Sequence, residues 1–248
     1  MEDKKKRRNT AKQKNTAKRK RKRRNQQKTD VISITILIVA VCVFVFSLYQ
    51  LAMLLVPYYF GGQEYDEVKK LVITTEKTAE GEEKFQVDFE ALQEENSDTV
   101  AWIRFDEPAV ISYPVVKGMD NDLYLTKTFS ASDNKLGAIF MDYRNASSFS
   151  DRNTIIYGHN LKVGGEMFSQ LNAYGDEAFY KEHPYFYIYT PDGKTRTYQV
   201  FVAGVVSDQA ENYTLEFESD ETYLAYLEAC KNSSAYQTDA SVGAGSSI

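Results

Sequence analysis

Residues Asn153–Phe168 read NTIIYGHNLKVGGEMF and contain one of the chain's two histidines. Thr154, Ile155, Ile156 and Tyr157 form a β-branched and aromatic run that predicts a buried strand, and Gly158 breaks it. His159 therefore stands at a strand's end. From Gly164 and Gly165 the pattern turns helical, with Met167, Phe168 and Leu171 on one face and Glu166 in a first turn that favours negative charge. A loop, Asn160–Gly165, joins the two. Such a place presents an imidazole at a cleft edge, where its near-neutral pKa suits proton transfer or pairing with a thiolate. The same position also suits a plain turn residue making one hydrogen bond.

The neighbouring chain is β-rich. Val100, Trp102, Ile103 and Phe105 predict a half-buried strand from Thr99, and Pro108 marks the turn before a second run, Val110–Val116. Trp102 reads as core. Asp120 suits the cap of a helical turn over Asn121–Leu125, which puts Asn121 and Leu125 on one face. Ala138–Tyr143 is strand-like, and Tyr185–Tyr189 and Arg196–Val206 flank Pro191-Asp192-Gly193-Lys194, a hairpin signal. His183 falls at the end of a helix starting near Asp176, where imidazole caps carbonyls. Asp88 suits an N-cap for Phe89–Glu95. Over Asp220–Ser234, Tyr223, Tyr226, Leu227 and Cys230 recur at i, i+3, i+4 and i+7, which buries the Cys230 thiol on an apolar face.

Charge divides the chain. Residues 1–30 hold fifteen Lys or Arg against three acids, a net +12, so the remainder carries −17 of the overall −5. Val31–Val56 follows, uncharged for 26 residues. At 1.5 Å per residue that run reaches roughly 39 Å, enough to span a ~30 Å hydrocarbon core. It predicts one transmembrane helix, with Pro57, Tyr58, Tyr59 and Phe60 as an interfacial belt. Positive residues flank only its N-terminal side, so residues 1–30 are expected in the cytoplasm and the acidic remainder outside. Topogenic charge and an acidic outer domain argue against a nucleic-acid partner. Residues 57–87 are polar, with Gly61-Gly62 as a hinge, and read as a stalk; 88–248 is the expected folded domain. Cys42 lies in the apolar run and Cys230 outside it, which excludes an intramolecular disulfide in the outer domain. No CxxC, HExxH or GxxxxGK[ST] string occurs, so neither metal, nucleotide nor other cofactor is expected.

Four stretches, NTIIYGHN with its glycine-bearing loop and MFSQL, Asn121–Leu125, Gly137–Asp142 and Phe217–Ser234, resemble in order and spacing the class B sortases. These are membrane-anchored cysteine transpeptidases of Gram-positive bacteria, and the similarity runs from about Tyr65 to the last residue. The resemblance implies a mainly β fold with added helices, a sortase-like β-barrel domain behind the single N-terminal transmembrane helix. It implies an enzyme that cleaves a C-terminal sorting signal at threonine and attaches secreted surface proteins to an amine of peptidoglycan or its lipid-linked precursor. His159 would be catalytic; Asn121, Leu125 and Tyr213 would line the substrate groove. The family's nucleophilic cysteine, in a Thr-Leu-Ser-Thr-Cys-like string, and the arginine on the next strand have no counterpart within Gly243–Ile248, so both are expected beyond Ile248 and the barrel is expected to lack its last two strands. The alternative is a membrane-tethered sortase-fold protein, or inactive fragment, that binds without catalysis.

Overall fold

The computed structural model describes residues 2–77, 83–109, 111–161 and 165–248, which form two compact units, 1–55 and 56–248. Helix α1 is Glu2–Val72, and its residues 56–72 belong to the second unit. In the first unit the side chains from Val31 onward are exposed on every face, Ile36 and Phe44 at 64% and 63%. The helix holds a window of mean hydropathy 3.0, long and apolar enough to cross a membrane. Two of its hydroxyls are satisfied within the helix: Thr35 and Ser47 donate to the carbonyls of Val31 and Val43 at 2.9 Å, as an apolar surrounding favours.

The second unit is built on two sheets. Strands β1 (Ile73–Lys77) and β2 (Glu83–Val87) pair antiparallel, and α2 (Phe89–Glu95) follows, capped by the Asp88 carboxylate on the Ala91 amide. The main sheet contains β3 (Thr99–Phe105), β4 (Ser112–Val116), β5 (Ile139–Met141), β6 (Ile156–Tyr157), β7 (Tyr185–Tyr189) and β8 (Thr195–Gln199). Its order is β6-β5-β4-β3-β7-β8, antiparallel except between β4 and β5. α3 (Glu177–Glu182) precedes β7, and α4 (Asp220–Asn232) follows β8. Trp102, Ile139, Met141, Ile188, Phe129 and Leu136 are fully buried in one core. Each such side chain contributes roughly 1.5–3 kcal/mol by leaving water. Trp102 also satisfies its indole N–H on Ser112 Oγ at 3.1 Å, the condition for burying it at all.

Four expectations need correcting. Residues 57–87 are not a stalk: 57–72 is helix with Tyr65 and Val72 buried, Ile73–Lys77 and Glu83–Val87 are the paired strands β1 and β2, and 78–82 lie outside the described residues. The Gly61-Gly62 pair is not a hinge but a helical contact. A Cβ at Gly61 would meet Leu136 Cδ2 at 2.6 Å, and one at Gly62 would meet Glu166 Oε1 at 2.6 Å. The strand expected to reach Val206 stops at Gln199: Val200 N bonds Pro184 O, but the Phe201 and Ala203 carbonyls then accept from Thr238 Oγ1 and Ala235 N after α4 and not from a strand, and Val205 is fully exposed. The turn after Met167 is a 3-10 helix, Phe168–Gly175, which starts abruptly from a Met167 backbone at φ 56°.

Candidate active site

β6 is short because only Ile156 and Tyr157 pair with β5; after it Gly158 sits so close to Ile139 and the Phe168 ring that a Cβ would be 2.4 and 2.6 Å from them. That close approach delivers His159, half-buried, to the end of the strand. Its backbone carbonyl accepts from Phe168 N at 3.1 Å, and Asn160 bridges to Met167, which closes the loop between them. Residues 162–164 of that loop lie outside the described residues.

The ring of His159 is held by one hydrogen bond, Nε2 to Leu125 O at 2.7 Å. A carbonyl oxygen only accepts, so Nε2 carries the proton, and among the described residues Nδ1 has no hydrogen-bond partner. Gly137, at φ +66°, backs this contact: a Cβ there would stand 2.6 Å from His159 Cδ2 and 3.0 Å from Leu125 O. Leu125 closes a 3-10 turn, Leu123–Leu125, whose start is fixed by Asp120 Oδ1 accepting from the Asp122 and Leu123 amides. The turn is anchored below by buried Tyr124, whose hydroxyl donates to Asp98 at 2.8 Å and accepts from Asn96 at 3.0 Å. Leu125 thus meets His159 through its main chain, while its side chain is exposed.

Asn121 stands at the other end of the same segment. Its Nδ2 donates to Asp142 Oδ2 at 2.9 Å and its Oδ1 accepts from Tyr143 N at 3.0 Å. Asp142 is completely buried and also accepts from the Tyr157 hydroxyl at 2.9 Å, from Arg144 Nε and Nη2 at 2.9 and 2.8 Å, and from the Arg144 amide at 3.0 Å. Burial alone would raise this carboxyl, but the bonds from Arg144, Asn121 and Tyr157 outweigh it and hold it well below the usual carboxylate range. Burial, and then the Asp142 charge, push the Tyr157 hydroxyl up to about 12, so it remains a donor at neutral pH. The sequence reading missed this network; a carboxylate just past an apolar strand with an arginine two residues on was its only signal.

Tyr213, half-exposed in a short 3-10 turn, Glu211–Tyr213, is tied to the strand of His159 through Asn153. The Asn153 amide donates to Asn212 O, Thr214 O and the Tyr226 hydroxyl at 3.3, 2.8 and 3.0 Å. Cys230, on α4, is 5% exposed with Asn212 Nδ2 3.4 Å from its sulfur. Burial raises its pKa, the opposite of what a nucleophile needs. His183 caps α3 with its backbone amide and packs its ring on Phe179. Among the described residues no group of His, Cys, Asp or Glu is placed to hold a metal.

Beside the site the sheet is open. A cavity of about 880 Å³ lies under β3, β6, β7 and β8, walled by Ile103, Ile156, Phe168, Ile188 and Tyr198, with Ile248 on its rim. Ile248 accepts from Thr154 N at 2.8 Å and donates to Arg152 O at 2.9 Å, a parallel pairing centred on Asn153.

The Sortase domain family model matches residues 108–242, more than half the chain. The chain belongs to the sortase family. Within it the similarity is to class B. Sortase B of Listeria monocytogenes is 32% identical over 207 residues, covering 83% of this chain and 82% of that protein. The crystal structure of sortase B from B. anthracis in complex with AAEK1 superposes with a TM-score of 0.66 at 34% identity, covering 77% of this chain and 87% of that one. A Staphylococcus aureus sortase B–substrate complex gives 0.60 at 31% identity, over 63% and 71%. A class B sortase in this form is a mainly β domain with an apolar N-terminal helix.

Proposed function

We propose that this sortase is a cysteine transpeptidase that cleaves a C-terminal sorting signal at threonine and joins the freed protein to an amine of peptidoglycan or its lipid-linked precursor. His159 is the acid–base residue, working with the cysteine and arginine that the class B resemblance implies. The observation that carries this reading is the His159 ring at the end of β6, held by Nε2 on the Leu125 carbonyl at 2.7 Å. In the reaction the cysteine thiolate adds to the threonine carbonyl, the arginine and backbone donors stabilise the oxyanion, and the departing amide nitrogen takes a proton from His159. The acceptor amine then attacks the thioester, gives its proton to His159 and releases the thiolate. Asn121, Leu125 and Tyr213 line the groove for the sorting signal. The helix over Val31–Val56 anchors the protein in the cell membrane as a single pass, with residues 1–30 cytoplasmic and the catalytic domain outside.

The alternative is a membrane-tethered sortase-fold protein that binds without catalysis; Cys230, buried on α4 with its thiol pKa raised by that burial, is a poor nucleophile. Reading the coding DNA through codon 248 separates the two. Continuation into a cysteine-bearing strand and then an arginine supports the enzyme; a stop at that point assigns this product to the alternative.

A further inference from the structure

Tyr65 lies on the last part of α1, within the second unit, 2% exposed, with a hydroxyl that serves neither a charge nor solvent. That hydroxyl donates to Gly137 O at 2.9 Å and accepts from Phe129 N at 3.1 Å, so it ties together both ends of the loop 129–137. Gly137 is the residue whose backbone backs the His159 ring and the Leu125 carbonyl. The ring of Tyr65 makes a second connection. It packs edge-on against Tyr113 at 5.3 Å, the Tyr113 hydroxyl accepts from Met167 N at 3.2 Å, and the next amide, Phe168 N, bonds the His159 carbonyl. One side chain therefore reaches His159 from two directions, at its ring through Gly137 and at its backbone through Tyr113. The same face of the helix is fastened to the same loop by Glu64, which accepts from Ser130 N at 2.9 Å, and by Pro57 O, which accepts from Asn134 Nδ2 at 2.8 Å. Gly61 and Gly62 permit the approach.

We propose that Tyr65 is a positioning residue for His159: its hydroxyl fixes Gly137 so that the Leu125 carbonyl keeps the proton on Nε2 and leaves Nδ1 to do the exchange. The end of α1 is then a working part of the site. This rests on His159 being the acid–base residue, but the structural tie is measurable without turnover. Removing the hydroxyl leaves the buried Phe129 amide without its acceptor and frees Gly137 O to shift, while the ring contact with Tyr113 stays.

The test uses the full chain in detergent, labelled with ¹⁵N-histidine, in wild type and Tyr65→Phe. The sequence holds only two histidines, and His183, whose ring packs on Phe179, is an internal control. Wild type is expected to show His159 with a proton on Nε2 protected from solvent. In Tyr65→Phe that proton should exchange at least about tenfold faster, the mark of a loosened local contact, with the His183 signals unmoved. An unchanged His159 proton, together with faster exchange of the Phe129 amide in a parallel uniformly ¹⁵N-labelled sample, would reduce Tyr65 to a loop tie and overturn the proposal. So would a wild-type His159 without a proton on Nε2, which needs no variant to fold. Failure of the functional reading registers elsewhere, as transfer activity that survives His159→Ala, and leaves these signals where they are.

Discussion

The two ends of the short β5–β6 ladder are built on opposite terms. At one end Asp142 is fully buried and accepts five hydrogen bonds, from Asn121, Tyr157 and three groups of Arg144. At the other, His159 is half-buried and its ring makes one bond, to a main-chain carbonyl. A saturated buried charge is rigid and costly to disturb, whereas a ring held at one nitrogen is left adaptable at the other. The difference teaches where this region stores its stability: in the Asp142 network, and not at His159.

Replacing Asp142 by Ala should give the largest stability effect, about 3 kcal/mol. That is the lower end for breaking a buried pair, because Arg144 is half-exposed. A thermal melt reads it as a lowered Tm. The same group makes a pH prediction. Its folded pKa is depressed, so its contribution is fully present above its unfolded pKa of about 4 and is lost as pH falls below that value. Asp142→Ala should flatten the acid limb of the stability curve. Gly137→Ala comes next, at about 1–2 kcal/mol for a left-handed backbone, with the added methyl forced against His159. Tyr157→Phe removes one bond to a charged acceptor and should cost about 1.5 kcal/mol in denaturant unfolding. His159→Ala is the smallest in stability, under about 1 kcal/mol, since it removes one half-exposed contact. If it instead destabilised as much as Asp142→Ala, the comparison between the two ends would collapse.

Much of this was legible in the sequence, and what was not has physical reasons. The Asp88 cap, the β3 strand with its buried Trp102, the β7–β8 hairpin and the burial of Cys230 follow from local spacing and turn chemistry, and local rules suffice for them. His159 at a strand's end was readable because Gly158 interrupts the pattern in plain view. Its partner was not, since a main-chain carbonyl 34 residues away leaves no trace in side-chain type. Segment 57–87 reads as a stalk because Gly61 to about Glu83 is polar and charged, with only Val68, Leu71 and Val72 hinting at a short helix. Of these only Val72 is buried, and the glycines that let the helix approach are also what hinges look like. Asn121 and Leu125 were read as a pair on one face. The structure gives Asn121 to the Asp142 network by its side chain and Leu125 to His159 by its backbone, a division that spacing does not encode.

The most direct measurement is transfer of a labelled sorting-signal peptide to an amine acceptor by membranes carrying the chain expressed from its own coding region, read through to its stop. Wild type should form the amide-linked product, and His159→Ala should form it at least about 100-fold more slowly with its Tm nearly unchanged. Equal rates in the two, or no product from wild-type membranes, would contradict the account.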